Sequence, residues 1–294
     1  MENFTELKNT ASCNLCPNRC GVDRSVRPGA CGVKNTVRIA KFYLHPFEEP
    51  CISGKNGSGT VFFCGCPLRC VFCQNYEVSN NLTGKDITVE ELAEIFRTLE
   101  AMGAENINLV NPTHYVPEIK RAFDIYRPKI PVVYNTHGYE LVKTLEIANE
   151  FTDIYMPDMK YISPKAALRY TGKSNYFEMA SEAIKFMIKS RKTQVIDGKM
   201  VSGVIVRHLI LPLNTDDSVA IVNWFAALKS DAYFSLMGQY TPFGRIEDFK
   251  ELQRRITPRE YNKVYAALLD SGIENYFLQE LSSASEEFIP HWDF

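Results

Sequence analysis

Nine cysteines stand at positions 13, 16, 20, 31, 51, 64, 66, 70 and 73 of a 294-residue chain, and none follows. Cys66, Cys70 and Cys73 share the run Gly65-Cys66-Pro67-Leu68-Arg69-Cys70-Val71-Phe72-Cys73-Gln74-Asn75. Three thiolates spaced this way on one loop can converge on one centre, and soft sulfur ligands select zinc, copper(I) or iron–sulfur clusters. A cubane cluster usually takes four cysteines, so three leave one iron open to another ligand. Cys13, Cys16, Cys20 and Cys31 form a second set, with Gly21, Gly29 and Gly32 allowing sharp turns between them. Four thiolates can close a tetrahedral zinc site or hold an auxiliary iron–sulfur cluster, and the spacing does not choose between the two. Without a metal, a segment so short and polar lacks a reason to fold. Cys51 is a further candidate to replace one of these ligands, whereas Cys64 reads as a buried strand residue. A disulfide scaffold would normally be short, secreted and even in cysteine count, so metal ligation is the better reading for this long, odd-numbered chain.

The elements that position these residues follow from the texture of the chain. Residues 1–55 are Cys-rich with little periodicity and read as a metal-binding extension. Residues 56–245 alternate short β-branched or aromatic runs with helical patterns and form the core. Residues 246–294 read as a helical extension packing on it. Strands are predicted over 60–64, 107–110, 132–134, 153–156, 203–211 and 233–237. Helices are predicted over 89–102, 116–126, 139–150, 164–171, 176–190, 219–228 and 258–271. Thr88 with Glu91 fits a capping box, and Thr257-Pro258-Arg259-Glu260 adds proline at the first helical position. This alternation implies an α/β fold of parallel strands with helical crossovers. Pattern alone leaves an open sheet and an incomplete barrel both open. In either, a ligand sits at the carboxyl ends of the strands.

Composition excludes other classes. Hydrophobic residues make up 45% and charged residues 23%, as in ordinary globular domains. The net charge of −2 gives no concentrated basic surface, so a mainly electrostatic grip on nucleic acid is not expected. No apolar run approaches membrane-spanning length, and residues 1–10 lack the apolar stretch of a signal peptide. The expected location is the cytoplasm.

The Cys-x3-Cys-x2-Cys loop with Phe72 before its last cysteine resembles the signature of the radical S-adenosylmethionine superfamily. That resemblance implies a [4Fe–4S] cluster on Cys66, Cys70 and Cys73. The amino and carboxylate groups of S-adenosylmethionine would chelate its open iron, and reductive cleavage would give a 5′-deoxyadenosyl radical. A closer resemblance, to the pyruvate formate-lyase activating enzymes and an uncharacterised group named after them, runs from about Gly59 to Gly244. It is carried by the cluster loop, by Gly84-Lys85-Asp86-Ile87-Thr88-Val89-Glu90-Glu91-Leu92 and by three strand ends. These are Asn135-Thr136-His137-Gly138, Met156-Pro157-Asp158-Met159-Lys160 and Val206-Arg207-His208-Leu209-Ile210-Leu211-Pro212. The implied fold is an incomplete (β/α)6 parallel barrel behind the small Cys-rich N-terminal extension.

By the same resemblance, Lys160 pairs with the cofactor carboxylate. Asp158, Thr136 and the Met156 carbonyl resemble oxygen ligands of a monovalent cation, which suits hard-cation chemistry. The activases carry an aspartate where this chain has Asn135, and a Gly-Gly-Glu stretch where it has Val110-Asn111-Pro112-Thr113-His114. Asn111, Thr113 or a backbone carbonyl must then meet the cofactor amino group. Phe72 and Asn135 complete the expected cofactor contacts. Arg207 and His208 point to opposite faces of their strand; the resemblance selects Arg207 to face the interior and leaves His208 to packing. His114 reads as a turn residue. Gln239 and Tyr240 occupy the rim where the activases have a histidine, which implies a different substrate.

The leading expectation is a radical enzyme that abstracts hydrogen, from a glycyl-radical-enzyme partner or from a small molecule or peptide, with a flavodoxin- or ferredoxin-type electron donor. The absence of any Ser-His-Asp or paired-carboxylate constellation agrees, since the radical does the hard chemistry. Two other classes compete: a zinc-bearing interaction module without catalysis, and an electron-transfer iron–sulfur protein.

Overall fold

The computed structural model describes residues 12–279. The stretch 1–10 that carries the leader expectation, and the extension beyond residue 279, lie outside the described residues. The strands are β1 (Val37–His45), β2 (Ser58–Phe63), β3 (Lys85–Ile87), β4 (Ile107–Val110), β5 (Val132–Thr136), β6 (Ile154–Pro157), β7 (Gln194–Ile196), β8 (Lys199–Leu209), β9 (Tyr233–Met237) and β10 (Tyr276–Gln279). They form one sheet in the order β10-β9-β8-β6-β5-β4-β2-β1-β3, with β7 hairpinned onto β8. The run β2-β4-β5-β6-β8-β9 is parallel throughout. These six strands are the expected barrel core, and the terminal strands β10 and β3 are not paired with each other.

Four strands were not expected. β1, in the stretch read as aperiodic, runs antiparallel to β2, and β3 pairs antiparallel with β1. β7 is a three-residue exposed edge. β10 follows the C-terminal helix and joins β9 in parallel, so that extension adds a strand as well as a helix.

The helices are α1 (Pro50–Ser53), α2 (Tyr76–Ser79), α3 (Val89–Ala101), α4 (Val116–Ile125), α5 (Val142–Ala148), α6 (Pro164–Thr171), α7 (Tyr176–Ser190), α8 (Thr215–Ala227) and α9 (Pro258–Asp270). Both capping boxes form: Thr88 caps α3 with Glu91, and Thr257 caps α9 with Glu260. β5 and β6 are buried along their whole length, as parallel strands covered on both faces must be. Val132, Tyr134, Tyr155, Val204 and Val206 face the helices and share the main core with them. The alternate residues Val133, Ile154, Met156 and Ile205 face the other way. There they pack against Cys51 and Ile52 of α1, which is tucked against that face. Cys51 is therefore a core residue and not a substitute ligand for the N-terminal thiols. Burial pushes its thiol up to about 12. Cys64, buried as expected, donates from Sγ to the Thr83 carbonyl at 3.3 Å.

Candidate functional site

β2 runs directly into the cysteine loop, and tight backbone packing fixes that loop. Gly65 has φ +84°, and a Cβ there would lie 2.8 Å from the Cys31 carbonyl oxygen and 2.9 Å from Val33 Cγ1. Only glycine adopts this conformation at that distance without strain. The Asn111 side-chain amide at the end of β4 donates to the Gly65 carbonyl. Farther along, the Val71 amide donates to the Tyr170 carbonyl and the Arg245 amide to the Val71 carbonyl. Phe72 packs edge-on between Tyr170 and Tyr240.

Cys66, Cys70 and Cys73 all line one cavity of about 270 Å³. Phe72, Asn111, Asn135, Thr136, Asp158, Lys160, Arg207 and Gln239 line it too. Its charged heart is a chain of ion pairs. Lys160 Nζ lies 2.6 Å from Asp158 Oδ2, Arg207 Nε 3.0 Å from Asp158 Oδ1, and Arg207 Nη1 3.3 Å from Glu48 Oε2. Arg207 Nη2 also donates to Asn135 Oδ1 at 2.6 Å. Burial would raise the Asp158 carboxyl, but Lys160 and Arg207 outweigh it and hold the group below the usual carboxylate range. Burial opposes the charge on Lys160, yet Asp158 and the neighbouring Cys70 hold its pKa above that of a free lysine. Burial likewise raises all three cysteine thiols, Cys66 to about 11, so thiolates here need a strong countercharge.

Two expected contacts point elsewhere. Thr113 opens a short 3₁₀ turn, Thr113–Tyr115, that aims its hydroxyl at Glu140 Oε1, 2.6 Å away, and it does not line the cavity. Tyr240 donates its hydroxyl to the Leu252 carbonyl at 2.7 Å and reaches the site only by backing Phe72. Two oxygen donors expected for a monovalent cation are also committed. Asp158 is clamped between Lys160 and Arg207, and Thr136 donates to Glu140. Burial pushes the Glu140 carboxyl up to about 7, against hydrogen bonds from Thr113, Thr136 and Tyr134. His208 is buried with Nδ1 2.7 Å from the Met159 carbonyl, and His114 is buried with Nε2 2.8 Å from the Cys64 carbonyl.

The residues present fit a polynuclear cluster with a chelating amino acid beside it. Three soft donors from one loop share the cavity with the Lys160 ammonium. The Asn111 Oδ1 acceptor is buried with no partner among the described residues. Among those residues no three His, Cys, Asp or Glu side chains close to the spacing of a single metal ion. Ligands at separate corners of a cluster need no such convergence. A model of the Radical SAM superfamily matches residues 60–225 of the 294. The chain belongs to the Radical SAM superfamily.

Uncharacterized protein MJ0674 of Methanocaldococcus jannaschii is 29% identical over 262 residues, covering 86% of this chain and 72% of that protein. The crystal structure of Streptococcus suis SuiB bound to S-adenosylmethionine superposes with a TM-score of 0.52 at 15% identity, covering 76% of this chain and 50% of SuiB. The chain thus spans about half the length of SuiB. A radical SAM methyltransferase from Sphaerobacter thermophilus superposes at 0.50 with 16% identity, covering 78% and 69%. At these identities the likeness is one of fold. No helix among the described residues is long and apolar enough to cross a membrane.

The N-terminal thiols of this radical SAM chain gather beside the barrel. Cys13 and Cys20 are in side-chain contact, and a Cβ on Gly29 would lie 3.4 Å from both Cys20 Sγ and Cys31 Sγ. Burial pushes Cys16 up to about 12, with Cys31 and Cys13 adding to the effect. All nine cysteines are free thiols.

The sequence reading missed Glu48, Glu49 and Gln279, which line the cavity, and gave His137, which also lines it, no role. Glu48 Oε1 accepts from Asn108 Nδ2 at 2.9 Å and from Asn135 Nδ2 at 3.3 Å. The local pattern, two acids before a proline, reads as an exposed helix start. Only the packing of α1 shows that they turn inward.

Proposed function

We propose that this protein is a radical S-adenosylmethionine enzyme that abstracts a hydrogen atom from its substrate. The observation that carries the reading is the convergence of Cys66, Cys70 and Cys73 on one cavity with the Lys160–Asp158–Arg207 chain. A [4Fe–4S] cluster held by those cysteines supplies reductive cleavage of S-adenosylmethionine to a 5′-deoxyadenosyl radical. The chain's own part is to bind, orient and shield. Lys160 offers its ammonium to the cofactor carboxylate, and Asp158 fixes that ammonium in place. Asn111 Oδ1 is an acceptor for the cofactor amino group. Arg207, pinned by Asp158, Glu48 and Asn135, offers fixed donors to a carboxylate or ribose oxygen.

The substrate is a glycyl-radical-enzyme partner, as the resemblance to activating enzymes implies, or a small molecule or peptide. The buried Glu49 carboxyl in the cavity wall favours the second class, since a donor group on a small molecule or peptide side chain would satisfy it. The four N-terminal thiols hold a second metal, an auxiliary cluster or zinc, and their separation in the fold, wider than a single ion needs, favours the cluster. A flavodoxin- or ferredoxin-type protein supplies the electron. Thiols kept available as metal ligands suit a reducing, cytoplasmic setting.

The test is spectroscopic. The anaerobically reconstituted, one-electron-reduced protein should give an electron paramagnetic resonance signal whose g values move when S-adenosylmethionine is added. A signal from this loop that ignores the cofactor would contradict the reading.

A further inference from the structure

We propose that the cavity contains an anchor for a cationic nitrogen of the substrate, an ammonium or a guanidinium, built from Glu49 and Gln279. The inference deepens the function above and rests on it. The buried side-chain polar atoms that line the cavity and have no partner among the described residues are Glu49 Oε1 and Oε2, Asn111 Oδ1 and Gln279 Oε1. Every one is an acceptor. Buried acceptors left unmatched are costly, so the ligand that completes this cavity must bring donors. Asn111, which touches the cysteine loop, is placed for the cofactor. Glu49 and Gln279 remain for the substrate.

Glu49 has no structural duty that explains it. It is 2% exposed. It stands at the N-cap position of α1 without a side-chain capping bond; Ser235 and Arg207 are its polar neighbours, and neither carboxylate oxygen meets a donor at full hydrogen-bond geometry among the described residues. A buried carboxylate is otherwise paired or absent. Gln279 is the register partner of Met237 on β9, and Ser235 lies two residues back on the same face of that strand. The two acceptors thus lie along one face of β9, Glu49 beside Ser235 and Gln279 beside Met237. A single nitrogen-bearing arm can pass both.

Charge points the same way. The carboxylates lining the cavity are Glu48, Glu49 and Asp158, and the fixed cations are Lys160 and Arg207. Asp158 answers both cations, and Glu48 and Glu49 both face Arg207, so three acids meet two cations and one acid is in excess. Burial raises the Glu49 carboxyl, and a cationic nitrogen beside it would restore the carboxylate. His45 and His137, the lining histidines, are held towards the neutral form by burial and do not offset it. A guanidinium would bond a carboxylate through two parallel donors, and an ammonium would use its three.

The experiment uses three probes of one chain length, n-pentylamine, n-pentanol and n-pentanoate, titrated calorimetrically into the reconstituted full-length protein loaded with S-adenosylmethionine. Pentylamine should bind saturably, roughly tenfold or more tighter than pentanol, with pentanoate weakest. Glu49→Gln should erase the preference for amine over alcohol, and Gln279→Leu should weaken the amine alone. Equal binding of amine and alcohol by the unmodified protein, or no saturable amine binding up to millimolar concentration, overturns the anchor whether or not either variant folds. S-adenosylmethionine is titrated separately. Its failure to bind while pentylamine binds would remove the radical-enzyme reading and leave the anchor; the reverse would remove the anchor alone.

Discussion

The Cys66 amide donates a 3.1 Å hydrogen bond to the carbonyl of Cys31, so the last cysteine of the N-terminal set touches the first cysteine of the barrel loop through backbone alone. Asn18 adds a 2.8 Å bond from Nδ2 to the Pro67 carbonyl. Gly32, whose φ of +91° suits glycine, lies directly against the Arg69 guanidinium. The two cysteine units are therefore one packed assembly, and a disturbance in either reaches the other.

Gly65→Ala tests that packing. The left-handed backbone costs a non-glycine residue about 1–2 kcal/mol, and the added methyl collides with the Cys31 carbonyl. The midpoint of thermal unfolding should fall by at least about 2–4 °C per kcal/mol lost. Metal uptake by both cysteine sets should fall with it. A midpoint and iron content equal to those of the unmodified protein would show that the contact is loose.

Lys160→Met removes the ammonium while leaving Asp158 paired with Arg207. Loss of a charge-assisted bond is worth about 1.5–3 kcal/mol, so the Kd for S-adenosylmethionine should rise by roughly ten- to a hundredfold. The cluster absorption should not change. Asp158→Ala should weaken cofactor binding as well, and also unfold more easily, because it strands the buried Lys160 ammonium and leaves Arg207 with Glu48 alone as its ion-pair partner. Unaltered cofactor affinity in both variants would displace the carboxylate from this corner.

His208 gives stability a pH dependence. Burial, with Lys160 nearby, lowers its pKa from 6.5 to about 4. Between those values the unfolded chain binds a proton that the folded chain refuses, so stability rises with pH across this window. The contribution is complete above pH 6.5 and is lost as pH falls through about 4. At about 1.4 kcal/mol per unit it amounts to roughly 3 kcal/mol. Urea unfolding of a His208→Gln variant should show a shallower loss between pH 6.5 and 4; an unchanged slope would assign the effect elsewhere.

How far these features were readable follows from where the information sits. β4, β9, α6 and α7 match the expected bounds because short, mostly buried apolar strands and amphipathic helices carry their pattern in local sequence. β1 was missed because Arg38, Lys41 and His45 interrupt its apolar residues, and pairing with β2 and β3 rather than a local period holds it. The cysteine loop was legible because three ligands on one short segment need no tertiary knowledge. Arg207 and Asp158 sit at strand ends whose alternation is predictable. Thr113 also sits at a strand end, but the turn that aims its hydroxyl at Glu140 depends on α5 and β5. Glu49 depends on a four-residue helix tucked under the sheet, which nothing local announces.

The N-terminal thiols make a separate stoichiometric prediction. Replacing Cys13, Cys16, Cys20 and Cys31 together by Ala should remove one bound metal unit, and Cys66→Ala should remove a different one. Elemental analysis of the anaerobically purified proteins identifies each: iron lost from the N-terminal set marks an auxiliary cluster, and zinc marks a structural ion. Equal metal content with and without the four thiols would contradict a second site.

The central claim is tested most directly by product analysis. Protein reconstituted anaerobically with iron and sulfide, then given dithionite and S-adenosylmethionine, should form 5′-deoxyadenosine and methionine in equal amounts. Cys66→Ala, Cys70→Ala and Cys73→Ala should each abolish both products. An iron-loaded protein that forms neither, or a Cys70→Ala variant that forms as much as the unmodified chain, would contradict the account.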